Sequence, residues 1–147
     1  MAFGIAAVIL VADWFTTSLA VGHLHRARHL WGPTGLALTY NSGLAFSIFS
    51  GRATVVTVLL CGAVFVLGYV VAQARTRAQA IGGGLVLGGA IGNLGERIFG
   101  GHNGQVPDFI TLSHWPTFNV ADACVSVGVV VVAASLLFGH DAATPAE

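Results

Sequence analysis

Four apolar runs divide the chain. Phe3 to Ala20 (FGIAAVILVADWFTTSLA) is broken by one acid, Asp13. Ala53 to Ala72 carries no charge. Ala78 to Leu94 is rich in glycine, and Val120 to Phe138 begins shortly after Pro116 with Asp122 in its first turn. At 1.5 Å per residue each run covers about 26–30 Å, close to the roughly 30 Å of a hydrocarbon core. The pattern predicts four transmembrane helices. A cleavable leader is the competing reading of the first run. No basic region precedes it, however, and Asp13 falls where a leader is apolar.

The connecting segments are polar. His23 to Arg52 is a long loop with Gly32-Pro33 and the cluster Thr39 to Gly43, in which Leu36 to Tyr40 can form a short strand. Arg75-Thr76-Arg77 is a tight basic turn, and Arg97 to Asn119 reads as a second long loop. Residues 1–138 form one domain, and 139–147 are expected to be a disordered tail. Within the third run, Gly84, Gly88 and Gly92 recur every four residues on one stripe, which suits close helix packing in lipid.

Composition agrees. The 147 residues are 55% hydrophobic and 8% charged, with mean hydropathy +0.81. A soluble domain carries about 25% charge, so an ordinary cytosolic domain, a disordered chain and a secreted disulfide scaffold are excluded. The six basic residues form no face that could neutralise phosphates, which argues against nucleic acid as a partner. Counting cations places the long loops in the cytoplasm, whereas cation density places the short turn there, so charge leaves the orientation open.

In so uncharged a chain the acids stand out. Asp at the centre of a membrane helix costs about 2.5–3.5 kcal/mol. Asp13 and Asp122 nonetheless lie in spans, and Asp108 lies in the loop that feeds the fourth. Asn119 and Asp122 are three apart, and Asn93 and Arg97 are four apart, so each pair shares a helix face. Both pairs border the same loop, and Asn41 lies in the other loop on that side. One pocket can therefore gather Asn41, Asn93, Arg97, Asp108, Asn119 and Asp122. Two facing carboxyls do not both ionise easily; one keeps a proton while the other acts as base, which suits hydrolysis of an amide by water. Asp122, at a helix N-terminus, reads as the ionised member and Asp108 as the proton carrier. His23, His25 and His29 do not have zinc-ligand spacing. Cys61 and Cys124, in different spans, read as buried free thiols rather than a disulfide.

These residues resemble the lipoprotein signal peptidase family (signal peptidase II). Asn41 to Phe46 resembles its N-x-G-x-A-F segment, and Gly88 to Arg97 its G-G-A-x-G-N-x-x-D-R segment. Val106 to Ile110 resembles V-x-D-F-I, and Trp115 to Asp122 resembles x-P-x-F-N-x-A-D. Asp13 fits the D-x-x-[ST] part of the first-helix motif. Three positions depart: Thr17 stands where the family usually has Lys, Glu96 replaces Asp before Arg97, and Thr111 replaces an acid.

The resemblance implies a four-helix membrane bundle with a small extracytoplasmic β-cradle, both termini in the cytoplasm, and a multi-pass place in the bacterial inner membrane. It implies an aspartic endopeptidase with Asp108 and Asp122 as catalytic dyad. Asp13, Asn41, Asn93, Arg97 and Asn119 would bind substrate or order the dyad, and no metal or organic cofactor is called for. The substrate would be a diacylglyceryl-modified prolipoprotein, cut before its lipidated cysteine by a monomer in contact with membrane lipid. Thr17 and Glu96 motivate the alternative of a non-catalytic lipopeptide-binding paralogue. A small transporter or proton channel is a third reading, disfavoured by the lack of internal repeats.

Overall fold

A computed structural model describes residues 1–42 and 53–138. Residues 43–52, which hold most of the Asn41-to-Phe46 motif, and 139–147, the expected tail, lie outside the described residues. Four helices and four strands follow in the order α1 (Ala2–His23), β1 (Arg28–Trp31), β2 (Thr34–Asn41), α2 (Ala53–Ala72), α3 (Arg77–Phe99), β3 (Val106–Leu112), β4 (Trp115–Phe118) and α4 (Val120–Phe138). α1 and α4 are long and apolar enough to cross a membrane, and α2 contains the shorter apolar stretch Thr57–Ala72.

The distribution of side chains is the reverse of a water-soluble core. The largest fully buried side chains are Asn119, Asp13, Asp108 and Pro107. Phe3, Trp14, Phe65, Tyr69, Leu137 and Phe138 are exposed. An apolar exterior around a polar interior is stable where the surrounding solvent is hydrocarbon, because buried polar groups then find their partners inside. Cys61 corrects the expectation of two buried thiols: it lies on the outer surface of α2, and only Cys124 is partly covered, both being free.

α3 is the central helix and packs on α1, α2 and α4. Its glycines make this possible on the sides that face α1 and α4. A Cβ on Gly84 would lie 2.6 Å from the Ala2 carbonyl oxygen, and one on Gly88 2.8 Å from that of Ala6, so this edge of the stripe receives α1. Gly92 continues the stripe against the Asp13 carboxylate. Gly82 and Gly89 abut the backbone of α4 at Gly128 and Ala121. The helix starts at Thr76, whose hydroxyl accepts from the Gln79 amide 3.1 Å away, the expected N-cap arrangement.

The two segments expected to be loops build one antiparallel sheet in the order β1-β2-β3-β4. β1 and β4 extend well beyond the single short strand expected at Leu36 to Tyr40. β2 and β3 are far apart in the chain yet pair in register, with Thr39 opposite Asp108 and Asn41 opposite Val106. β3 and β4 form a hairpin turned at Ser113-His114, with His114 at φ 68°. α3 also runs to Phe99, so Arg97 lies inside its last turn rather than in a loop.

Candidate active site

The site forms where the sheet meets the ends of α3 and α4. Paired residues of an antiparallel sheet point to one face, and so do residues two apart along a strand. Since Thr39 pairs with Asp108, Asn41 projects on the same face as Asp108. Its Nδ2 donates to Asp108 Oδ2 at 2.9 Å. The Thr39 hydroxyl donates to the Asp108 carbonyl at 3.3 Å.

Asn119 connects the two acids. Its Nδ2 donates to Asp108 Oδ1 and to Asn93 Oδ1, each at 3.0 Å, so both of its amide protons are used. Its Oδ1 accepts from the Asp122 backbone N–H at 2.8 Å, and its own N–H donates to Asp122 Oδ2 at 3.3 Å. This reciprocal pair is a capping box at the start of α4, with Asn119 as N-cap and Asp122 three residues on. Asn93 Nδ2 closes the network by donating to Asp122 Oδ1 at 2.8 Å. Asn41, Asp108, Asn119, Asn93 and Asp122 thus share one connected set of hydrogen bonds.

The carboxyl of Asp108 is pushed up to about 6. Burial is the main cause, opposed by the Asn41 hydrogen bond; the Asp122 charge raises it further, and Arg97 and Asn119 act against the rise. Arg97 enters the site as a nearby charge. Its Nη1 donates to the Gly104 carbonyl at 3.3 Å, and its buried Nε has no hydrogen-bond partner. Gly104, at φ 77°, belongs to a turn with Gly101 and Asn103, also at positive φ, that a residue with a larger side chain enters at a cost.

Asp13 occupies a different place from the other polar residues. It is 1% exposed, and its Oδ1 accepts from the backbone N–H of Ala121 at 2.9 Å. A carboxylate from α1 therefore satisfies one of the free amides at the start of α4, a capping bond between helices. It lies between α1 and the first turn of α4, apart from the hydrogen-bonded set that joins Asp108 and Asp122. Thr17, one turn on, is also buried, and its hydroxyl finds no partner. Sequence reasoning had no signal for the Ala121 amide, because a backbone donor carries no residue identity. The Asn119–Asp122 box did have one: a capping residue followed three positions later by an acid.

The arrangement is that of a membrane protein with two carboxyls joined through one residue, Asn119, at the junction of helices and sheet. A family model described as signal peptidase (SPase) II matches residues 5–138. Proteins named lipoprotein signal peptidase from Rhodococcus jostii and Mycobacterium leprae are 37% and 38% identical over 143 residues, 93% of this chain and 72% and 71% of theirs. Two bacterial membrane enzyme structures determined in meso share the fold. Their TM-scores are 0.81 and 0.82 at 22% and 23% identity, covering 99% and 93% of this chain and 93% and 92% of theirs. The chain belongs to the signal peptidase II family.

Proposed function

We propose that this protein is an aspartic endopeptidase that removes the signal peptide from diacylglyceryl-modified prolipoproteins, cutting before the lipidated cysteine. Family membership supports the reaction. The observation that carries the assignment of residues is the hydrogen-bonded link from Asp108 through Asn119 to Asp122.

Asp122 takes a proton from the attacking water as the new C–O bond forms at the scissile carbonyl. Asp108 gives its proton to the carbonyl oxygen. As the gem-diol intermediate collapses, Asp122 passes its proton to the cysteine nitrogen and Asp108 takes back a hydroxyl proton; the C–N bond breaks, the amine leaves, and both carboxyls regain their starting states. The raised carboxyl of Asp108 suits the proton-carrying role, since a general acid must hold its proton until needed. Asn41, Asn93 and Asn119 order the two carboxyls through the hydrogen bonds described above. Arg97 supplies a nearby positive charge. Asp13 is a positioning residue that acts through the first turn of α4.

This reading places four spans in the bacterial inner membrane, with the sheet outside and both termini inside. The two acids, one on β3 and one in the first turn of α4, then sit where a diacylglyceryl chain stays in lipid while the peptide enters the site. The protein works as a monomer in contact with membrane lipid, without a cofactor. Replacing Asp108 or Asp122 by Asn is expected to lower cleavage of a lipidated precursor by at least a thousandfold, with helix content unchanged by circular dichroism. Undiminished cleavage by either variant ends the dyad assignment. An unlipidated precursor serves as the specificity control, and turnover itself separates an enzyme from a lipopeptide-binding paralogue.

A further inference from the structure

We propose that the groove between α2 and α4, at the end of the bundle away from the carboxyls, binds an anionic phospholipid. The groove has a volume of about 800 Å³, within the roughly 300–1,000 Å³ of sites that hold small molecules. Its walls are apolar, formed by Leu67 and Val71 of α2, Val86 of α3, and Val129 and Val132 of α4. Gly83 lies at its floor, where the missing side chain lets Val71 of α2 pack close against α3. From Gln79 to Val86 the groove runs about 10 Å along α3. One leaflet of hydrocarbon is about 15 Å deep, so the groove covers most of one acyl chain.

The mouth has the opposite character. Arg75 and Gln79 line it, and Arg77 follows two residues after Arg75. The turn is held in shape because the Arg75 N–H donates to Gln79 Oε1 at 2.9 Å. Among the described residues the carboxylates are Asp13, Glu96, Asp108 and Asp122, all placed toward the dyad. The Arg75 guanidinium therefore stands at the mouth of an apolar cleft, with Arg77 two residues further along the same turn, and the described carboxylates lie at the other end. Basic pockets between membrane helices match anionic head groups, with acyl chains following into the cleft.

A peptide helix is the competing occupant. A signal peptide begins with a positively charged segment. Laid along this groove from the dyad, it would bring that segment to Arg75 and Arg77, where like charges repel. Charge complementarity selects the lipid.

The test uses the purified full chain and native mass spectrometry. Phosphatidylglycerol and phosphatidylcholine with the same acyl chains are the probes. Phosphatidylglycerol is expected to be retained at least fivefold better. The double variant R75Q/R77Q brings its retention down to that of phosphatidylcholine, and R75K/R77K preserves it. R26Q/R28Q, which removes the same charge on the sheet side, leaves retention unchanged. Equal retention of both lipids by the wild type overturns the proposal, as does an equal loss in R26Q/R28Q. A photo-reactive residue at Val132 gives an independent reading in a bilayer that holds precursor and phosphatidylglycerol. Cross-linking to the lipid supports the site, and preferential cross-linking to the signal peptide refutes it. The lipid measurement needs no turnover, so its failure is separable from failure of the peptidase assignment.

Discussion

Asn119 sets the geometry of both acids with one side chain, because both amide protons and the carbonyl oxygen are engaged. Asn119→Ala removes an N-cap, worth about 1 kcal/mol, and the side-chain hydrogen bonds to Asp108 and Asn93, worth about 0.5–1.5 kcal/mol each. The expected result is a fall in kcat of about 10- to 100-fold with a smaller change in KM, measured on a lipidated precursor. Asp108 makes a pH prediction. Its native value of about 6 lies above the roughly 3.9 of an unfolded Asp. The folded chain therefore holds this proton more tightly than the unfolded chain. The associated stability is complete below about pH 4 and is lost as pH rises through 6. The thermal midpoint in detergent should fall over that window, with a shallower slope in Asp108→Asn. Asn41→Ala removes a donor that favours the ionised form, so the alkaline limb of the kcat profile should move to higher pH. Spacing in the sequence was enough to group Asn93, Arg97, Asn119 and Asp122, because helix periodicity fixes which side chains are neighbours. It did not reveal the partner of Asp13, an amide 108 positions away.

Helices and strands differ in how much of them the sequence disclosed. The apolar runs at Ala53 to Ala72 and Val120 to Phe138 match α2 and α4 at both ends, since a membrane solvent leaves little choice of conformation. β3 escaped notice because Val106 to Leu112 includes Pro107 and gains its ladder from β2, some seventy residues earlier. β1 is short and wholly exposed, so it has no apolar alternation to read. The glycines of α3 give the clearest test at this scale. Gly88→Ala drives a methyl toward the Ala6 backbone oxygen, 2.8 Å from the Cβ position. Gly89→Ala meets the Ala121 carbonyl at the first turn of α4. Both are expected to lower the thermal midpoint by several degrees. Gly89→Ala should also reduce activity beyond what instability explains, because it displaces the turn that holds Asp122. Gly95→Ala meets nothing within 4 Å and should leave both properties unchanged.

For the whole molecule, the polar interior and apolar exterior followed from composition, but charge counting could not assign a side of the membrane. The proposed orientation puts Trp31 outside and Arg75 inside. In intact cells, Trp31→Cys on a background lacking Cys61 and Cys124 should react with a membrane-impermeant maleimide. Arg75→Cys should react only after permeabilisation. The reverse labelling pattern would invert the topology.

The bond from Asp13 to the Ala121 amide has a bearing on biogenesis. Among the four helices α1 is made before α4, so this contact joins helices that are inserted at different times. Until it closes, the Ala121 amide in the first turn of the fourth helix lacks its side-chain acceptor. A chain in which these two helices have not yet met therefore carries a buried acid on one and an open amide on the other, and their meeting satisfies both at once.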